Sequence, residues 1–572
     1  MVMLCISKDF TTTKIEPIYG TKYDVMAIHP DNMVAWTKGT GGSAAGRTLR
    51  FPRTNTWIPN NFATLSGLNP AVQAEITSTK PETYPELIVQ ELGSTTSDQP
   101  SAKASEKASE KDDKTKAKSL EVWYKLDDTF GVPKANLMVE MHTERTLTTL
   151  REQILIELLA EVISDAVREP LYSASQSGLG YSITTDSRYL LRMEITGYSQ
   201  HLRRFFGEVV NRTLNVIENE ESVKTYETRF SYLYDAYIRS LKDWSNEEPY
   251  KHAMAYTTAT LEDPVFLSSE MIHELMSKPA TLKEVLDAGK RGLRGTCGIR
   301  SLVHGNIGKE EAKSMASIEM PMLSRKCSGP NKDANDEKKR KKLPTSIMGQ
   351  PLKLHLKEPS LSNVNSCAIL HCQFAFEEEW GNMHDAVVLK LVKQMTEDPA
   401  YNQLRTKENL GYDVFTLSER IHAALSTMII VQSDTHDAEF LASRIDAFVV
   451  SHLKLLASTT KEEFQGYFDN LLSKLKSPYN SMSSESSFYW GEIVTRQLMF
   501  DRIAREIGQL HEITVQDIVN AWETGMIGAK TRRCLSVMVE TQRVPSKALN
   551  KEEDIKKIRN ELSEWAQPPM PP

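Results

Sequence analysis

Cysteine is scarce in this chain. Cys5, Cys297, Cys327, Cys367, Cys372 and Cys534 are the whole supply in 572 residues, at irregular spacings. A secreted disulfide framework needs a denser and more regular set, so the expected location is a reducing one: the cytoplasm first, the mitochondrion second, the nucleus disfavoured. Long apolar runs are missing too. None approaches the roughly 20 residues that span a bilayer, and the opening Met1-Val-Met-Leu-Cys-Ile-Ser-Lys-Asp9 is too short and too lightly apolar for a signal peptide, so no membrane partner is expected. An excess of one charge is also absent. The 69 basic and 76 acidic residues leave a net charge of -7, which argues against a dedicated nucleic-acid binder. What remains is an ordinary globular composition, 40% hydrophobic and 25% charged, which excludes a fibre or a chain disordered throughout. At roughly 150 residues per domain, the length suggests about four domains.

Two stretches have almost nothing to bury. Residues 93–119 include Ala104-Ser-Glu-Lys-Ala-Ser-Glu-Lys111 and read as a disordered charged insert. Residues 324–349 include Lys338-Lys-Arg-Lys-Lys342 and read as a basic low-complexity linker. A run of this kind also admits a nuclear signal or nucleic-acid patch, but Asp333, Asp336 and Glu337 beside it favour the linker. The folded blocks are therefore residues 1–92, a connecting strap at 120–140, and blocks at 141–323 and 350–566, with a loop tail at 567–572.

Two of these blocks share one plan. Ile154, Leu155, Leu158, Leu159, Val162, Ile163, Ala166 and Val167 recur at helical spacing, and Pro170 closes the helix. Val387, Val388, Leu391, Val392 and Met395 form a similar stripe, expected to close at Pro399. A Leu-Gly-Tyr leading into an apolar strand follows each helix, with Tyr181 and Tyr412 lying 231 residues apart. Phe230, Asp235 and Leu241 match Phe464, Asp469 and Leu475 at a constant offset of 234. The period is too long for a solenoid and means two homologous α+β domains of roughly 220 residues. Strands are expected at 189–195, 296–304, 426–432 and 534–540, with helices at 200–217, 227–244, 437–457 and 460–476.

Cys367, His371 and Cys372 admit a partial metal site. They also fit an alternating strand, Ala368-Ile-Leu-His-Cys-Gln-Phe374. The strand is favoured, because no second ligand pair follows at zinc spacing.

The segment Leu404-Arg-Thr-Lys-Glu-Asn-Leu-Gly-Tyr412 resembles the insulysin branch of the pitrilysin-type zinc metallopeptidases. So do Phe51-Pro-Arg-Thr-Asn-Thr-Trp-Ile-Pro-Asn-Asn-Phe62, Trp123-Tyr-Lys-Leu-Asp-Asp-Thr-Phe-Gly-Val-Pro-Lys134, Glu247-Glu-Pro-Tyr-Lys-His-Ala-Met-Ala-Tyr256, Leu302-Val-His-Gly-Asn-Ile307 and Tyr489-Trp-Gly-Glu-Ile493, all in the family's order. The resemblance implies tandem metallopeptidase-like α/β sandwich domains of the LuxS/MPP type. These would form half of a clamshell that encloses peptide substrates, preceded by a partial domain of the same type. Residues 1–92 then correspond to the end of the family's second domain, 141–323 to its third and 350–566 to its fourth.

The resemblance also implies a zinc site built on His-x-x-Glu-His plus a downstream Glu, which leaves one position open for water. None of the 13 histidines stands in such a motif. His142, His252, His304 and His371 have no second ligand at the right spacing, and a lone histidine is more often a hydrogen-bonded core or surface residue than a ligand. No metal or other cofactor is therefore expected in this chain, and the resemblance implies zinc in the missing N-terminal half, whether this chain is a truncated gene product, a fragment or a genuine half-protein. Partners implied are peptide substrates and either that half or a second copy of the chain. In the family, the residues matching Arg405 and Tyr412 reach the active site, where a guanidinium and a phenol stabilise the oxyanion of peptide hydrolysis. Both could instead pin a loop to the next strand. Tyr181, the duplicate of Tyr412, has no matching Arg and Lys before it and reads as structural. Lys407 and Glu408 read as a solvated pair. Tyr479, Phe488, Tyr489 and Trp490 are expected in the core rather than on a chamber wall. The role expected is the non-catalytic half of a zinc metalloendopeptidase; the alternative is an inactive peptide-binding or scaffold subunit of the same fold.

Overall fold

Strand residues 134–143 bury both of their faces. Leu137, Val139 and Met141 point into one core, and Met138 packs into another on the opposite side. That pattern needs layers on both sides of a sheet, and the computed structural model has them. It describes residues 11–17, 20–37, 54–65, 83–92, 119–143, 149–186, 189–323, 339–345, 350–376, 383–421, 424–543 and 549–564. The charged insert at 93–118, most of the basic linker (324–338 and 346–349) and the tail lie outside these. The chain divides into a unit at Met1–Thr56 and one at Trp57–Pro572. In the first, Lys14–Ile15 pairs antiparallel with Lys22–Tyr23, and a helix spans Pro30–Thr37.

The larger unit contains the duplication. Its first half runs β1 (Glu86–Leu92), β2 (Ser119–Leu126), β3 (Lys134–Thr143), helix α1 (Leu150–Arg168), the hairpin β4 (Gly180–Asp186) and β5 (Tyr189–Tyr198), and helices α2 (Ser199–Glu218), α3 (Ser222–Asp243) and α4 (Pro249–Leu261). Short β6 (Glu262–Asp263), α5 (Leu282–Gly295) and β7 (Thr296–Gly305) follow. The second half runs β8 (Lys339–Lys342), β9 (Leu352–Lys357), β10 (Ser366–Phe376), α6 (His384–Ala400), the hairpin β11 (Asp413–Ile421) and β12 (Ala424–Ser433), α7 (Ala438–Ala457), α8 (Lys461–Lys476), α9 (Met482–Val494), β13 (Cys534–Glu540), α10 (Glu552–Glu561) and β14 (Ser563–Glu564).

The first sheet has the order β1-β2-β7-β3-β5-β4 and the second β9-β13-β10-β12-β11. Beyond the extra β1, the two have the same strand order. The pairs β2–β7 and β9–β13 are parallel, and the others are antiparallel. The expected strands and helices are all present, and α1 ends at Arg168, before Pro170 as expected. Thr149 caps α1 by accepting from the Glu152 N–H, and Thr460 and Glu463 form a reciprocal capping box on α8.

Each half covers the other's sheet. Helix α4, from the first half, lays Ala253, Tyr256 and Ala259 on Cys367, Ile369, Ile430, Leu535 and Val537 of the second sheet. Helix α9, from the second half, lays Tyr489, Trp490 and Ile493 on Trp123, Met138 and Leu302 of the first. The aromatic segment 489–490 is thus core, as expected from its composition.

The basic run forms part of a small sheet of order β14-β8-β6. Lys339 and Arg340 stand opposite Asp263 and Glu262, and Lys341 opposite Glu564, with 3.0 Å between Lys341 Nζ and Glu564 Oε1. Lys341 thus pairs with an acidic residue of the neighbouring strand. No helix among the described residues is long and apolar enough to cross a membrane.

Candidate functional site

Helix α6 does not stop at Pro399. It runs through it to Ala400 and continues as a π-helical turn, Tyr401–Lys407. Proline removes one N–H from the ladder, and a wider turn is one way for the backbone to accommodate the loss. The turn places Tyr401 and Arg405 one above the other, and the Arg405 guanidinium donates to the Tyr401 hydroxyl. Tyr412 is also close. The guanidinium carbon is 4.9 Å from the Tyr401 ring centre and 4.6 Å from that of Tyr412, within cation–π range of both. Among the described residues no carboxylate pairs with Arg405, and Tyr412 is 80% exposed.

The loop that carries these groups is fixed from below. Leu404 and Leu410 are buried anchors, and the Leu410 N–H donates to the Leu404 carbonyl at 3.0 Å. Glu408 was expected to pair with Lys407 in solvent. It instead accepts from Arg444 of α7 at 2.7 and 2.9 Å, and from Gln403 Nε2 at 2.7 Å. The Arg444 hydrogen bond is the main reason that the Glu408 carboxyl lies below the ordinary range. Its fork geometry reaches across the fold, which an adjacent lysine cannot match. Gly411 then enters the strand against β12, where an added Cβ would lie 1.9 Å from the Gln432 carbonyl oxygen. Gly411→Ala is expected to cost about 1–3 kcal/mol and to displace Tyr412. Urea denaturation checks it; an unchanged midpoint would show that the strand entry gives way freely.

The first half diverges at the corresponding place. Tyr181 is partly buried, and its hydroxyl donates to the Ser164 carbonyl at 2.9 Å. Where Arg405 stands, the offset of 231 places buried Ala174. Sequence reading named Arg405 and Tyr412, and the structure brings them together. It missed Tyr401, although the four-residue spacing on one helical turn was a signal. It also missed Arg444, for which no local signal exists.

The remaining candidates serve packing. His252, His304 and His371 are fully buried. His252 Nδ1 lies 3.0 Å from Glu358 and its Nε2 2.8 Å from the Trp244 carbonyl; His304 Nδ1 lies 2.8 Å from Ser486 Oγ. Cys372 faces Cys534 across β10 and β13 and is joined to it by a disulfide, a pairing that a separation of 162 residues did not announce. Cys367 and Cys372 lie on opposite faces of β10, in different cores. Among the described residues no group of three His, Cys, Asp or Glu side chains is placed to hold a metal ion, so these residues do not fit a catalytic zinc.

A family profile described as the middle or third domain of peptidase M16 matches residues 1–274, and one described as PQQ synthase PqqF-like, C-terminal lobe domain 4, matches 391–490. Insulin-degrading enzyme of Bos taurus is 27% identical over 549 residues, covering 95% of this chain and 48% of that protein. The chain is thus similar to the insulysin/pitrilysin family of M16 metallopeptidases. It corresponds to the C-terminal half of such a protein and spans about half the length of the curated relatives it matches. The A-factor-processing enzyme of Saccharomyces cerevisiae is 24% identical over 96% of the chain and 47% of its own length. Among solved structures, pitrilysin shares the M16 fold at a TM-score of 0.73 and 18% identity, covering 97% of this chain and 53% of that one. An M16 inactive domain from Pseudomonas fluorescens matches at a TM-score of 0.53 and 12% identity, over 75% of this chain and 97% of that one.

Proposed function

We propose that the chain is the substrate-binding, non-catalytic half of an insulysin-like zinc metalloendopeptidase that degrades short peptides in the cytoplasm. The observation that carries this reading is the guanidinium of Arg405, close to the rings of Tyr401 and exposed Tyr412 and lacking a carboxylate partner among the described residues. Peptide hydrolysis builds negative charge on the former carbonyl oxygen, and donors aimed at that charge stabilise the transition state by several kcal/mol. Tyr412 supplies a phenol O–H for it, and Arg405 a planar fork for the substrate backbone or carboxylate. In this reading the zinc belongs to an N-terminal peptidase half, because this sequence has no His-x-x-Glu-His motif.

The test has two parts. The purified chain is expected to hold no stoichiometric zinc and to cleave no quenched peptide; one tightly bound zinc per chain would sink the proposal. Mixed with the zinc-bearing half of a relative, it is expected to restore hydrolysis, and Arg405→Ala in that mixture to lower the rate about 100-fold. An unchanged rate removes Arg405 from the site. A second reading, an inactive peptide-binding or scaffold subunit, is favoured by the likeness to a solved M16 inactive domain. Peptide binding by a chain that no zinc-bearing half activates would select it.

A further inference from the structure

The contact of helix α9 with the first sheet is apolar through Tyr489, Trp490 and Ile493, which lie on Trp123, Met138 and Leu302. At the start of the helix it turns polar. His304 of β7 and Glu485 of α9 are both buried there, and His304 Nε2 lies 3.5 Å from Glu485 Oε2. Neither atom has a hydrogen-bond partner among the described residues. Two buried polar atoms in that state are costly unless a proton bridges them.

The surrounding hydrogen bonds fix where the protons are. The Ser486 hydroxyl donates to the Met482 carbonyl at 2.8 Å, and Ser486 Oγ accepts from the Asn136 amide at 2.9 Å. Its one proton is committed, so Ser486 Oγ is also the acceptor toward His304 Nδ1, 2.8 Å away, and Nδ1 carries the hydrogen. Burial and, next, the Lys125 ammonium hold the His304 pKa down to about 4. The ring is therefore neutral and its Nε2 is a bare lone pair. An ionised Glu485 would set a carboxylate oxygen against that lone pair. A protonated Glu485 sets an O–H there instead, as a long hydrogen bond, while its Oε1 accepts from the Tyr489 hydroxyl at 2.8 Å.

The surroundings favour the protonated form. Burial is the largest influence on the Glu485 carboxyl and raises its pKa. Asp127 and Asp128, beyond the end of β2, add to it; the Tyr489 hydrogen bond and buried Lys125 oppose it without cancelling it. Tyr479 and Tyr84 also stand near this end of α9.

We propose that a proton held by Glu485 against His304 latches α9, and with it the second half, onto the first sheet, so that acidity sets how firmly the halves are joined. Loss of the proton leaves a buried carboxylate facing a lone pair and frees the start of α9 from β7. The sign follows from a carboxyl that binds its proton more tightly when the helix is docked. The latch is complete below the ordinary carboxyl range and is lost as pH rises through the docked value. Between the two values each release of α9 gives up one proton, so release becomes about tenfold more frequent per pH unit. None of this depends on the substrate-binding reading above.

Amide exchange of the full chain, corrected for the intrinsic effect of pH on exchange, is followed by mass spectrometry from about pH 5 to about pH 9. The expected result is protection of residues 482–494 that falls about tenfold per pH unit over part of this range. The Glu485→Gln protein is expected to show no such fall, because its amide offers an N–H to His304 at every pH. Wild-type protection at 482–494 that is flat or rises with pH overturns the proposal, whether or not the variant folds. A fall that persists in Glu485→Gln overturns it too; if His252→Ala removes that fall, the pH dependence belongs to the His252–Glu358 contact.

Discussion

His252→Ala is expected to destabilise the protein by about 3–5 kcal/mol, the cost of leaving one member of a buried ion pair alone. Helix α4 carries His252 from the first half onto the second sheet, where the ring is fully buried between two acceptors, Glu358 Oε2 at 3.0 Å and the Trp244 carbonyl at 2.8 Å. Two acceptors call for two ring protons, which makes the imidazole a cation. Burial by itself would lower its pKa. The Glu358 hydrogen bond, the Trp244 carbonyl and the Glu358 charge together outweigh burial, and the net direction is upward.

The pH dependence follows from that direction. A raised value means that the stabilisation is complete below the unfolded value near about 6.5 and is lost as pH rises through the folded value above it. Resistance of the wild type to urea is therefore expected to fall through this pair as pH rises above about 6.5, and the His252→Ala protein to lack that component. Equal midpoints for wild type and variant at the lower pH would refute the pair as a fastener.

Trp490→Ala is expected to cost a similar amount, about 3–5 kcal/mol, at the reciprocal contact. Trp490 is buried on helix α9 against Trp123, Met138 and Leu302 of the first sheet, and the Arg192 guanidinium lies 5.6 Å from its ring centre. Just beyond the helix, Arg496 reaches Glu121 at 2.8 and 2.6 Å. Burial would raise the Glu121 pKa, but Arg300, Arg496 and the indole N–H of Trp123 bring it below the ordinary range. Losing the indole opens this charged cluster to water as well as leaving a cavity. Urea unfolding measures the loss, and limited proteolysis should find the first half cut before the second. The two variants share no partner, so their costs should add to within about 0.5 kcal/mol. A much smaller double cost would mean that both report a single separation of the halves.

Local pattern was enough to establish much of the protein. The stripe from Ile154 to Val167 gave α1, because a 3.6-residue period is local. The Leu-Gly-Tyr pairs and the constant offset of Phe230, Asp235 and Leu241 revealed the duplication, because homologous halves keep their order. The missing His-x-x-Glu-His was equally legible, since that motif lies within one helical turn and a half. Arg405 and Tyr412 were found through a contiguous segment.

The remaining features depend on residues far apart in the chain. Neither Glu408 with Arg444, Cys372 with Cys534, nor His252 with Glu358 has a sequence spacing that predicts it, because each pair is set by which strands and helices become neighbours. The exchange of α4 and α9 is the extreme case: the sheet that each one covers belongs to the other half. The same holds for the four sheet edges. Sequence placed an apolar strand after Tyr412, but only the tertiary structure made Asp413–Ile421 the outermost strand of its sheet, since a strand's neighbours are set by whatever the rest of the chain places beside it.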